Sequence, residues 1–189
     1  MKTQFKLAAA AIMIIAGTIS VKAQTSSTNG AMKGILYNVG IESGIPLGGM
    51  RAGYTWSQGA SLQADIPIAN QFFLTINSGY QHYSSKGYDP VRRILYSDLH
   101  IIPVKAGLKF FPVQQLYVQG EAGTDYSINA RYAVFVYAPQ VGYQFKFKRK
   151  SLIDAGVRYE HSTNNFIQDE DATRINVLAL RLAYFFPTK

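Results

Sequence analysis

The 189-residue chain contains no cysteine. That absence excludes disulfides, thiolate zinc sites, iron–sulfur clusters and cysteine nucleophiles together. Charge is scarce as well: Asp, Glu, Lys and Arg make up 16% of residues, against roughly 25% in an average soluble domain. Beyond the amino terminus no apolar run approaches the ~20 residues of a spanning helix. The length admits one domain, or two very small ones. What the chain holds in quantity is aromatic residues, at 13%, within a mean hydropathy of -0.02 that by itself resembles a soluble protein.

Lys2 and Lys6 precede an apolar run from Leu7 to Ile19, broken only by Gly17 and Thr18, and then come Val21, Lys22 and Ala23. Charged, apolar and small residues in that order predict a secretory signal peptide over 1–23, cleaved near Ala23. A polar linker over 24–33 follows. The apolar run is too short for a membrane anchor, and no cysteine follows it to carry a lipid. Cleavage removes Lys2, Lys6 and Lys22, so 16 basic groups remain against 11 acidic ones and the formal +8 becomes +5. The remaining charge is dispersed, apart from Lys146, Lys148, Arg149 and Lys150 at one expected turn. Nucleic acid is therefore not an expected partner.

From Gly34 onward apolar residues alternate with polar or small ones, the period of a strand with one apolar face. Eight segments show it. Ile35 to Ile41, Leu62 to Ile68, Phe72 to Tyr80 and Ile102 to Phe110 form the first half; Leu116 to Tyr126, Phe135 to Phe145, Ile153 to Tyr159 and Leu178 to Phe186 form the second. No segment shows a helical period. The connections near Ala69–Gln71, Phe111–Gln115 and Phe147–Ser151 are short. Those at Ile45–Gln58, Ser84–Asp98 and Ser162–Arg174 are longer, while Ser127–Arg131 is brief. This is an up-and-down meander with short turns at one end.

Volume decides which face is outside. An eight-stranded barrel has an interior just wide enough for side chains or one small ligand, and the bulky Tyr, Phe, Leu and Ile set does not fit there. The opposite set fits: Gly40, Gly79, Gly107, Gly123, Gly142 and Gly156 leave room between long polar residues. That set is balanced in charge, with Glu42, Asp65, Glu121, Asp125, Asp154 and Glu160 facing Lys105, Lys109, Arg158 and Arg181. Charges inside a dry barrel must pair, so these ten are expected to form an ion network across the lumen. Phe72, Tyr126, Tyr159, Tyr184 and Phe186 stand near segment ends on the other face, as interfacial girdles require. Segments of about 9–12 residues match a tilted membrane strand. The expected fold is all-β: an eight-stranded antiparallel up-and-down transmembrane β-barrel over 34–189.

The stretches GASLQADIPIANQFFLTINSGYQHY, LHIIPVKAGLKFFP and INVLALRLAYFFP resemble the PorT-like outer-membrane β-barrel proteins of Bacteroidota. The I-P-x-x-x-x-L-K phrase ending at Lys109 is the most specific of these. The resemblance spans nearly all of the mature chain. It implies a small barrel in the outer membrane, in a family whose members mostly lack assigned chemistry and some of which belong to secretion machinery. Barrel chains commonly end on an aromatic residue, whereas here Pro187, Thr188 and Lys189 follow Phe186.

RYEHSTNN, Arg158 to Asn165, is the one string with catalytic overtones. It is similar to the H-x-S-N motif of outer-membrane lipid A deacylases, whose His is the base and whose Ser is the nucleophile. His161 and Asn164 match, but Thr163 stands at the nucleophile position and Ser162 is one residue early. A hydroxyl nucleophile needs a base within reach and an acid orienting that base, for which Asp169, Glu170 or Asp171 are the candidates. The simpler reading is a strand-end histidine beside a polar loop.

The acidic run lacks calcium-loop spacing, and His82, His100 and His161 stand on different segments without metal-ligand spacing. Gly44, Gly48, Gly49, Gly53 and Gly59 make the first long connection glycine-rich, but without the following helix a phosphate loop requires. Lys86, Arg92 and Arg93 are loop charges within reach of lipopolysaccharide phosphates.

The chain is thus expected to be a non-enzymatic outer-membrane barrel with a filled lumen, without metal or cofactor, in a structural, adhesive or secretion-accessory role. Expected partners are outer-membrane lipid and lipopolysaccharide, the barrel-assembly machinery during insertion, and an envelope or secretion protein. The alternatives are a lipid A hydrolase using His161, and a secreted soluble barrel with a lipophilic ligand.

Overall fold

The computed structural model describes residues 34–90, 93–129, 132–147, 152–163 and 174–186. The expected signal peptide and linker, Arg92, Lys148 to Lys150, Asn164, Asp169 to Asp171 and Pro187 to Lys189 lie outside the described residues.

The strands are β1 (Leu36–Pro46), β2 (Tyr54–Ala69), β3 (Phe72–Ser85), β4 (Tyr88–Asp89) and β5 (Ile94–Leu95), then β6 (Leu99–Phe110), β7 (Leu116–Ser127), β8 (Ala133–Lys146), β9 (Leu152–Ser162) and β10 (Asn176–Phe185). One helical turn, α1 (Met50–Gly53), precedes β2. Eight strands close a barrel in the order β1-β10-β9-β8-β7-β6-β3-β2, while β4 and β5 form a separate two-stranded ladder. Each barrel strand pairs with its chain neighbour, and β1 closes onto β10 with Ile41 opposite Leu182 and Glu42 opposite Arg181. Closure leaves no unpaired edge, the condition for a sheet to sit in hydrocarbon.

Burial alternates along β1 from Leu36 to Pro46 without a break. On the outward set Ile41 and Leu62 are each 65% exposed and Leu180 63%. An apolar surface continued around the wall far exceeds the few hundred Å² that soluble monomers present.

Several boundaries differ from the alternation. Five barrel strands have the expected length, while β2, at 16 residues, and β3 and β8, at 14 each, exceed it. β1 reaches Pro46 and β2 starts at Tyr54, so half of the expected loop Ile45–Gln58 is strand. A register irregularity between Tyr54 and Trp56 shifts which residue faces inward, and that disguises the period. Gly44 and Gly59 therefore lie in strands rather than in a glycine-rich loop. The first long connection shrinks to a turn through Gly48, whose φ of +55° suits glycine, and α1. The second carries the β4–β5 ladder.

Inward glycines make room for long partners. A Cβ at Gly142 would collide with the Tyr117 ring, and one at Gly40 would stand 3.0 Å from the Arg181 guanidinium.

Candidate functional site

The ten inward ionisable residues named from the sequence are all at most 4% exposed. They meet between strands, from the directly opposed Glu42 and Arg181 to Lys105 and Glu160, which have two strands between them. Lys109 Nζ lies 2.7 Å from Asp65 Oδ2 and 4.6 Å from the centre of the Tyr117 ring. Lys105 donates to Glu160 and stands 3.8 Å from Asp125. Arg158 donates to Glu42, whose other oxygen lies 3.3 Å from Arg181 Nε. Arg181 Nη1 is 4.0 Å from Asp154. The set is not balanced, however: six carboxylates face four cations. Glu121 accepts a hydrogen bond from the Thr75 hydroxyl at 3.3 Å and pairs with no Lys or Arg among the described residues.

Neutral groups that the sequence reading did not single out complete the network. Tyr117 donates its hydroxyl proton to Asp154 at 2.7 Å. Gln81 donates to Glu42 at 2.5 Å, Gln63 to Asp65 at 2.6 Å, and Arg181 to Asn38 at 2.6 Å. Their signal was present: each has the inward parity of its strand. A buried charge is tolerable only with such additional hydrogen bonds around the ion pair.

The ionic layer is closed at both ends by apolar side chains. At the long-loop end Met50, Tyr54, Tyr83, Ile101, Val134 and Val177 belong to one buried cluster. At the short-turn end Leu36, Phe73, Leu152 and Phe185 form another, with Phe111 packed on it. These two plugs were not read from the sequence. The interior is thus ionic in the middle and apolar at its ends, the reverse of a lipophile-binding pocket, which contradicts the soluble lipophile-binding alternative.

All three histidines face outward near the long-loop end. His82 and His100, although on different segments, are directly opposed on β3 and β6, with ring centroids 4.9 Å apart. His82 Nε2 lies 3.2 Å from Asp98 Oδ2, and the Tyr80 hydroxyl pairs with His100 Nδ1 at 2.5 Å. No group of three or more metal-ligating side chains stands together among the described residues. Lys86 donates to the Arg51 carbonyl at 2.6 Å, and Arg93 holds a φ of +54° in the loop turn.

Asp98 ties this loop to the barrel rim by accepting the Ser85 amide at 2.8 Å. That backbone hydrogen bond, then the Ser85 and His82 side chains, holds its carboxyl below the ordinary 3.8. A depressed carboxyl contributes stability above its ordinary value, which is lost as pH falls through the lowered one. The Ser85 amide resonance is therefore expected to titrate with a midpoint below 3.8, and to lose that titration in Asp98→Asn; a midpoint at or above the ordinary value contradicts the tether.

The three residues of the catalytic alternative do not assemble. His161 faces outward with Nδ1 paired to Asn176 Oδ1, its ring beside those of Tyr137 and Tyr159. Ser162 points into the barrel, 2% exposed, and its Oγ accepts the Ile175 amide at 2.7 Å. The two therefore stand on opposite sides of the wall. Thr163 is exposed, with its amide on the Phe135 carbonyl at 3.0 Å. The acidic run that would orient His161 lies outside the described residues.

No protein-family model matches the chain, and no curated protein matches its sequence. Among solved structures it is similar to the Yersinia pestis outer-membrane protein Ail in a phospholipid nanodisc: TM-score 0.50, 16% identity, covering 80% of this chain and 99% of that one. It is also similar to Neisserial surface protein A: TM-score 0.50, 13% identity, covering 80% of this chain and 94% of that one. At such identities the likeness is one of fold. Closed wall, apolar exterior and ionic interior together make this chain an eight-stranded antiparallel transmembrane β-barrel.

Proposed function

We propose that the chain is an integral outer-membrane protein whose barrel is a rigid, non-conducting support for the segments at its long-loop end, in a structural, adhesive or secretion-accessory role rather than a catalytic one. The observation that carries this is the sealed ionic lumen inside an apolar wall. Eight strands leave no aqueous channel, and here the interior is filled by buried ionic and hydrogen-bonding side chains between two apolar plugs. The amino-terminal pattern supports export with cleavage near Ala23. The strand phrases quoted above support a PorT-like affiliation. On this reading the long loops face outward toward lipopolysaccharide and an envelope or secretion partner, and the barrel-assembly machinery inserts the chain.

Fractionated envelopes are expected to hold the protein in the outer membrane, migrating faster on a gel when unheated. Reconstituted in a planar bilayer, it is expected to show no sustained conductance. Recovery as a soluble periplasmic protein, or steady open-channel currents, would overturn the reading. Lipid A from cells carrying wild type or His161→Ala is expected to give identical mass spectra; a one-acyl-chain difference would revive the hydrolase.

A further inference from the structure

The outer wall carries a shallow, open depression on β6 to β10. Its floor is made by two residues directly paired in register, Gly120 on β7 and Pro139 on β8. Leu108, Val118, Val141, Val157 and Leu178 line it. Three facts make it more than ordinary wall. Gly120 leaves an outward position with no side chain at all, and the outward pair next to it, Ala106 and Ala122, is small as well. Proline has no N–H to offer the ladder, and pairing of β8 with β9 lapses there, between Tyr137 opposite His161 and Gln140 opposite Arg158. Tyr159, on the rim of the depression, stacks on His161, which together with Thr163 and Arg174 borders a second, polar depression toward the long-loop end. The described residues bordering the polar depression are His161, Ser162, Thr163 and Arg174.

We propose that these adjoining depressions form a binding site for a phosphorylated glycolipid of the outer leaflet, one acyl chain lying over Gly120 and Pro139 and a phosphate meeting Arg174 and His161. The apolar depression excludes a polar occupant. Arg174 at the polar depression favours an anionic headgroup, because Arg matches phosphate through a fork of donors. The site rests on the proposed outward orientation of the long loops, which puts its polar end at the outer rim and Gly120, four residues from Leu116 at the short-turn end of β7, near the middle of the bilayer.

The test is native mass spectrometry of the full chain in detergent, titrated with lipid A. A Cβ at Gly120 would meet no atom within 4 Å, so Gly120→Phe fills the depression without disturbing the wall. Wild type is expected to retain one lipid A per barrel. Gly120→Phe is expected to weaken retention by about tenfold or more, since displacing even two methylenes of a buried chain is worth that much. Arg174→Ala, at an exposed position, is expected to weaken it by about fivefold. Phosphatidylglycerol is expected to bind less well than lipid A. Equal retention by Gly120→Phe and wild type would overturn the site, as would dimers in place of lipid adducts. Equal binding of phosphatidylglycerol would overturn the glycolipid assignment. Outer-membrane fractionation of the same variants separates this failure from failure of the functional reading: a correctly inserted barrel without lipid A sinks only the site.

Discussion

Leu180→Arg is expected to destabilise the folded barrel in lipid vesicles by about 2–4 kcal/mol, the cost of a cationic side chain at the bilayer midplane. Leu180 is 63% exposed at the middle of β10, with its neighbours Ala179 and Arg181 turned into the lumen. On a water-facing surface the same change would fall within about ±0.5 kcal/mol. Measured by reversible urea unfolding, the sign and size therefore report which medium the outer face meets. Leu62→Arg on β2, 65% exposed, is expected to behave alike. A loss below 0.5 kcal/mol at both sites would contradict a hydrocarbon environment.

The second large effect lies inside. Lys109→Met is expected to cost about 3–5 kcal/mol, because it leaves Asp65 as an uncompensated buried carboxylate. Lys109 is fully buried and Asp65 is 1% exposed, and the two meet at 2.7 Å. The double change Lys109→Met/Asp65→Leu removes both charges and is expected to recover most of that loss, since apolar replacement of a buried pair is often near neutral. Additive losses in the double mutant would mean that the two groups act independently, through water rather than each other. The pair suits the cycle because Asp65 has one other close partner among the described residues, the Gln63 amide at 2.6 Å.

Parity was the legible part of this fold. Lys105, Arg158 and Arg181 could be assigned to the interior because each sits between two outward apolar residues, and Glu42 because it continues the alternation beyond Ile41. Which cation meets which carboxylate was not legible. Lys109 on β6 reaches Asp65 on β2 over the intervening β3, a pairing set by strand stagger rather than by sequence spacing. The plugs were obscured for another reason. Near the long-loop end inward residues are apolar too, so Val134-Phe135-Val136-Tyr137 and Leu99-His100-Ile101-Ile102 read as continuous runs and the alternation vanishes. Such a collapse into a run apolar on both faces was the available signal. At Tyr54 to Gln58 the bulge broke the period outright. His82 and His100 came together through the β3–β6 register, which the long connection between them does not reveal. Ser162 shows the converse: one step of parity separates it from His161, and that step places the two on opposite sides of the wall.

The absence of cysteine makes the most direct measurement a clean one. Single substitutions along β10, Ala179→Cys to Ala183→Cys with Arg181 left in place, can each carry a nitroxide in lipid vesicles. Labels at Leu180 and Leu182 are expected to collide freely with lipid-dissolved oxygen and rarely with a water-soluble nickel chelate. Labels at Ala179 and Ala183 are expected to be shielded from both. Frequent nickel collisions at Leu180 and Leu182 would contradict a lipid-facing wall, and frequent collisions at Ala179 and Ala183 would contradict a sealed interior.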